Sequence, residues 1–367
     1  MRDWKTVRLG DVCEIVNGFA FDSKLFNTDK KGIPLIRIRD VIRGFSETYT
    51  TENADSRFLV KVGDLLIGMD GEFNCSLWKS EDSFLNQRVC KIVPNLELIN
   101  KDYVYYGLKG KLKEIEDKTS FVTVKHISSK QIENIVLKYP PLKTQQQIVV
   151  QLDKCTALIA KQKQILEKYD TLIKSRFIEM FGDPVQNPMN WEVSELGDQC
   201  TEVRYGTSKP AVENGKYPYL RMNNITYDGH LDLSNLKHID IDDEELPKCS
   251  VRKGDVLFNR TNSIDLCGKT CLFNLDDVMV IAGYIIRVRL NEKLNPQYVT
   301  TFFNTKTIKK LLRKMAKGAV NQANINAQEM QAIRIPLPPI DLQNDFAAFV
   351  HQIDKSKFEY TYTGVAA

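Results

Sequence analysis

The sequence resembles itself. Trp4, followed after four residues by Leu9-Gly10-Asp11, returns as Trp191 followed after four residues by Leu196-Gly197-Asp198. Ile33-Pro34-Leu35-Ile36-Arg37 returns as Tyr217-Pro218-Tyr219-Leu220-Arg221, and Val60-Lys61-Val62-Gly63-Asp64-Leu65-Leu66 as Val251-Arg252-Lys253-Gly254-Asp255-Val256-Leu257. Ile127, Ile132, Ile135, Pro140, Pro141, Leu142 and Gln145 match Ile325, Met330, Ile333, Pro338, Pro339, Ile340 and Gln343. A repeat of about 190 residues is too long for a solenoid, so each copy must build its own core. Each copy predicts a globular part of short strands, then a double proline, then a helix. Strands are expected at 34–39, 64–67, 88–93, 135–138, 218–222, 255–258, 284–290 and 333–337, and helices at 101–116 and 296–316. Gly63-Asp64 and Gly254-Asp255 mark turns into buried strands.

The helix after the first double proline is long. Alternating steps of four and three from Ile148 give Leu152, Cys155, Ile159, Gln162, Leu166, Tyr169, Ile173, Arg176 and Met180, a coiled-coil seam broken only by Gln162 and Arg176. Thr144 with Gln147 predicts a capping box, and Gly182 with Pro184 a stop. At 1.5 Å per residue the helix would measure roughly 55–60 Å, a spacer's length. The terminal helix presents Phe346, Phe349, Val350 and Ile353, and is expected to fade after Phe358 at about half that length. The expected fold is therefore α+β. Two tandem α/β domains, 1–141 and 182–339, are separated by a helical spacer, 142–181, with a short helix and tail at 340–367. Because such a terminal helix spans only from about Leu166 to Met180, the seam at Ile148, Leu152, Cys155 and Ile159 calls for a second chain.

Charge excludes little: 51 Lys and Arg stand against 47 Asp and Glu. The longest apolar run, Val278 to Ile286, is too short to span a bilayer, and the eight scattered cysteines fit a reducing compartment. A cytoplasmic location without membrane partners is expected. No catalytic constellation is legible. Ser263-(four residues)-Gly268-Lys269-Thr270 lacks the first glycine of a phosphate loop, Cys267 and Cys271 have no second pair for zinc, and the four histidines form no metal spacing. Asn187-Pro188-Met189-Asn190 departs from the motif of amino-methyltransferases and lies in a linker. Glu116-Asp117-Lys118 ends a solvated charged helix face rather than a nuclease motif.

Duplex recognition needs phosphate-gripping cations and Arg, Asn and Gln side chains aimed at base edges. The first copy offers Arg37, Arg39, Arg43, Asn74, Lys79, Asn86, Gln87, Arg88, Lys125 and His126. The second offers Arg221, Asn223, Asn224, Arg260, Asn262, Lys269, Asn321, Gln322 and Asn324. Recurrence at matching places is what distinguishes them from ordinary surface groups.

The chain resembles the specificity subunit of Type I restriction-modification systems. The resemblance rests on the two Trp-(four)-Leu-Gly-Asp heads, the strand Leu35 to Arg39 with its copy Tyr219 to Asn223, both double prolines with Gln145 and Gln343, and Ser175-Arg176-Phe177 through Phe181-Gly182-Asp183. It implies two target-recognition domains, each reading half of a split DNA site. It also implies an antiparallel coiled coil that sets the gap and docks two methyltransferase subunits through a face containing Ile148, Leu152, Ile159, Leu166, Tyr169, Ile173, Phe346, Phe349 and Ile353. Restriction/translocase subunits complete the assembly. The subunit itself is not catalytic and holds no cofactor: S-adenosylmethionine, ATP and Mg belong to partner chains. The family's Glu after the double proline is here Thr144 and Leu342, which puts any role of that Glu in doubt. The competing reading, from the same duplication, is a coiled-coil scaffold that binds protein rather than DNA, and an enzyme with an unrecognised motif is a third.

Overall fold

The computed structural model describes residues 4–118, 125–319 and 322–363. The chain forms two compact units, Met1–Ala160 and Lys161–Ala367.

In the first unit an antiparallel sheet runs in the order Cys13–Asn17, Val89–Pro94, Leu65–Gly68, Cys75–Leu77. Successive strand residues point to opposite faces. Leu65 and Ile67 therefore join Val104, Leu108 and Leu112 of the helix Lys101–Lys118, while Leu66 joins Ile36, Val41 and Trp78 on the other side. Burial on both faces is why Leu65-Leu66-Ile67 is apolar without alternation. A second sheet pairs Ile33–Ile36 parallel to Ser83–Leu85 and carries three short strands besides.

The second unit repeats this order: Cys200–Tyr205, Ile285–Leu290, Val256–Asn259, Thr270–Leu272. Val256 and Phe258 face one core and Leu257 the other. Tyr217–Leu220 again lies parallel to Met279–Ile281. One constraint common to both units was not read from the sequence. A Cβ on Gly18 would lie 2.0 Å from the Asn86 carbonyl oxygen, and one on Gly206 would lie 2.0 Å from that of Ile281. Both positions admit only glycine because two strand ends cross there. At the expected turns Gly63 and Gly254 have φ of 86° and 94°, and Asp64 and Asp255 each accept a main-chain N–H three residues back at 2.9 Å.

The structure departs from expectation where polar side chains stop an element. The strand expected at 34–39 ends at Ile36, because Asp40 accepts the Arg37 N–H at 2.9 Å and opens the helix Ile38–Arg43; Arg39 is helical. Asn224 does the same to Arg221 at 2.9 Å, so the copy ends at Leu220. The helix expected at 296–316 is two, Pro296–Phe303 and Lys306–Met315, since Thr305 caps the second and Asn304 binds the Thr270 and Thr300 carbonyls.

The central helix spans Leu142–Phe181 and the terminal helix Ile340–Thr363, five residues past the expected fade at Phe358. The central helix starts ahead of Thr144, whose N–H donates to Pro141, so the proline rather than a Thr144/Gln147 box sets its start. In the second unit the expected seam drifts: Phe177 and Phe181 are buried with Ile173, where three-four alternation placed Arg176 and Met180. A straight helix of 3.6 residues per turn does not hold a 3.5 register. Phe346 and Val350 of the terminal helix pack on them, with the Phe346 ring 5.6 Å from Phe177 and 5.5 Å from Phe181. Leu166, Tyr169, Phe349 and Ile353 are half-buried. In the first unit's portion Val149 is buried and Ile148 and Leu152 are half-buried, while Leu158 and Ile159 are 66% and 55% exposed.

Candidate nucleic-acid interface

In each unit, main-chain hydrogen bonds bring four separated segments to one edge. In the first, Asn86 N–H donates to Ile36, Met69 N–H to Arg88, and Ile127 N–H to Met69. In the second, Ala282 donates to Leu220, Arg260 to Tyr284, and Ile325 to Arg260. The side chains flanking these bonds form the rim.

On the first rim Arg37 and Gln87 are exposed. Arg88 is also exposed, with a φ of 73° that an L residue adopts only at a cost of roughly 1 kcal/mol or more. The fold holds that conformation and turns a cation outward. Asp70 steadies the group, accepting from Arg88 at 3.2 Å and meeting His126 Nδ1 at 2.5 Å. Arg39 lies two residues past Arg37, in the helix Ile38–Arg43, 3.7 Å from Asp40. Arg43 and Lys79 sit apart, at the C-terminal end of the helix Ile38–Arg43: Arg43 pairs with Glu47 at 3.6 Å, and the Lys79 stem lies beside Gly44.

The second rim encloses a cleft lined by Arg221, Met222, Asn223, Arg260 and Tyr284. Arg260 is held by Asn324 Oδ1 at 3.2 Å and lies 4.8 Å from the centre of the Tyr205 ring. Arg221 donates one Nη to the Asn235 carbonyl at 3.0 Å. Both guanidiniums are anchored at one nitrogen and keep further donors for a ligand. Gln322 is exposed on the adjoining strand Gln322–Asn324.

Several expected readers are otherwise engaged. Asn224 is 1% exposed, with its amide donating to the Asp232 carbonyl at 2.8 Å. Lys269 is 6% exposed, donates to the Met222 carbonyl at 2.6 Å, and is pushed down from its ordinary range by burial. Lys125 donates to the Glu116 carbonyl at 2.7 Å. Asn262 binds Asn259 Oδ1 at 3.2 Å, Asn74 binds the Glu72 carbonyl at 3.3 Å, and Asn86 is buried. Of these side chains Asn86, Asn224 and Lys269 are buried, while Asn74, Lys125 and Asn262 are half-buried and bonded within their own unit. Asn321 lies outside the described residues. Sequence reasoning missed Asp70, Tyr205 and Tyr284. Tyr284 occupies the place of Arg88, a correspondence the duplication itself would have exposed.

The family model for the Type I restriction modification DNA specificity domain matches residues 1–168 and 188–363. The Type I restriction enzyme EcoBI specificity subunit of Escherichia coli is 30% identical over 380 residues, covering 95% of this chain and 79% of that protein. The MjaVIII specificity subunit of Methanocaldococcus jannaschii is 22% identical over 382 residues, covering 96% and 86%. A solved structure described as the structural basis of complex assembly and conformational transition of the type I R-M system shares the fold. Its TM-score is 0.50 at 18% identity, covering all of this chain and 95% of that one.

Proposed function

This chain belongs to the Type I restriction-modification DNA specificity family, and from that membership we propose that each unit reads one half of a bipartite site in double-stranded DNA. The chain is a non-catalytic specificity subunit, and the scaffold alternative has no support among its relatives. The observation that carries the proposal is the duplicated rim. Two units with the same four-stranded sheet order bring corresponding segments to corresponding edges, yet Arg88 stands in one where Tyr284 stands in the other. Similar scaffolds with different tips are what a site of two unlike halves requires. On this reading Arg37, Gln87 and Arg88 face one half-site, and Arg221, Asn223, Arg260 and Gln322 the other. Arginine suits guanine O6 and N7, and Asn or Gln suits adenine N6 and N7.

The packing of Phe346 on Phe177 and Phe181, with Lys357 meeting Asp170 at 2.7 Å, supports an antiparallel pairing of the terminal and central helices. In our reading this coiled coil sets the gap between half-sites. Exposed Leu158 and Ile159 mark the stretch that docks two methyltransferase subunits or a second copy of the chain. S-adenosylmethionine, ATP and Mg would be bound by the methyltransferase and restriction/translocase partners.

Methylome sequencing of cells carrying this chain with its partner methyltransferase tests the proposal. One adenine-methylated motif split by a fixed gap is expected. An unbroken motif, or no motif dependent on this chain, would refute it.

A further inference from the structure

The two copies differ sharply at one place that DNA reading by the rims does not use. In the first unit the helix Lys101–Lys118 ends in balanced charge: Lys111 pairs with Glu114 at 2.9 Å, and Lys113 with Asp117 at 3.0 Å. The corresponding helix of the second unit, Lys306–Met315, contains five cations and no acid. Four of the five line a pocket together with Lys174: Lys306, Lys309, Lys310 and Arg313. Two carboxylates share the lining, Asp228 at 3.4 Å from Lys174 and Asp265 at 3.0 Å from Arg313. Lys306 and Lys310 form no ion pair among the described residues.

Lys309 sets this pocket apart from a merely basic surface. Its Nζ is buried, has no hydrogen-bond acceptor among the described residues, and lies 4.8 Å from the centre of the Tyr227 ring. Burial pushes the ammonium down to about 8, with Lys174 and Lys269 adding to the shift and Asp228 opposing it. A buried cation without a hydrogen-bond acceptor is costly to the fold. An anion seated above it would offset that cost.

We propose that this pocket is a phosphate-binding site, with Lys306, Lys310 and Arg313 as donors and Lys309 as the buried ammonium beside them. Lysine ammoniums with one arginine fork suit a compact oxyanion with acceptors on every side. A free phosphate group and a DNA phosphodiester offer this chemistry alike. The DNA source alone rests on the function proposed above.

The test titrates the full chain with inorganic phosphate in low-salt HEPES by calorimetry. Wild type should bind, Lys309→Met should bind roughly tenfold more weakly, and the double variant Lys306→Gln, Lys310→Gln should not bind measurably. Lys309→Met should not lower the melting temperature, since it removes an unpaired buried charge, and the double variant changes only surface groups. Duplex binding then separates the sources. A salt slope smaller by about one in the variants identifies a DNA phosphate, and an unchanged slope identifies a free phosphate. Absence of phosphate binding by wild type, binding unaffected by both variants, or equal binding of glutamate would overturn the site. Failure of the DNA reading would show instead as loss of motif-specific methylation by the wild-type complex and would leave the phosphate titration standing.

Discussion

The side chain of Gln145 accepts the main-chain N–H of Asn100 at 2.8 Å and donates to the Pro140 carbonyl at 2.8 Å. Gln343 repeats both bonds, to Asn295 at 2.8 Å and Pro338 at 2.8 Å, and adds Lys293 at 3.0 Å. Both amides are fully buried. Each ties the double proline, and so the helix it launches, to the residue that begins another helix.

Removing such an amide leaves a buried N–H and carbonyl unpaired. Gln145→Ala and Gln343→Ala should therefore each cost about 2–3 kcal/mol of unfolding free energy. Chemical denaturation measures this, and a loss within the error of the wild-type value would show that water replaces the clamp.

The half-buried cleft arginines and the buried polar groups should separate in DNA binding. Arg221→Ala or Arg260→Ala should weaken binding to the cognate duplex by about 1–3 kcal/mol and relax base preference in one half-site. Lys269→Met, at a group committed to the Met222 carbonyl, should leave base preference intact. Competition binding against single-base variants of the site distinguishes them. Altered base preference in Lys269→Met would contradict the placement described above.

Recognition should also be modular. Replacing residues 1–141 with the corresponding part of a relative should change one half of the methylated motif and leave the other half unchanged. Motif sequencing of the hybrid reads this directly, and a change in both halves would exclude two independent readers.

Asp170 of the central helix accepts from Lys357 at 2.7 Å and from His230 at 3.2 Å. Burial pushes this carboxyl up, but the hydrogen bonds and charges of His230 and Lys357 outweigh it and set it at about 2. A depressed carboxyl contributes stability above its unfolded value, near 3.8, that is lost as pH falls through about 2. Relative to Asp170→Asn, wild type should hold an advantage of about 1–2 kcal/mol at pH 5 that vanishes near pH 2. Denaturation of both proteins across that range provides the check, and an advantage that persists at pH 2 would assign it to packing instead.

Much of the architecture was legible in the residues. Repeated Trp-(four)-Leu-Gly-Asp, Gly-Asp and Pro-Pro signals recur in order because one topology needs the same turns and stops twice. Core faces were legible where burial follows element period, as in Leu65-Leu66-Ile67. The site was less so. Whether Asn224 reads a base or caps a turn, and whether Lys269 grips a phosphate or the Met222 carbonyl 47 residues away, depends on which partner the tertiary fold delivers. Composition is silent on that. Phe177 and Phe181 replaced Arg176 and Met180 on the buried face for a related reason: a heptad count carries the register forward unchanged, whereas a straight helix rotates slowly out of it and packs whichever side chains face Phe346. Lys309 shows the same limit most plainly. In the sequence it is one lysine among five cations on a helix, and only the tertiary fold buries its ammonium, beside the Tyr227 ring.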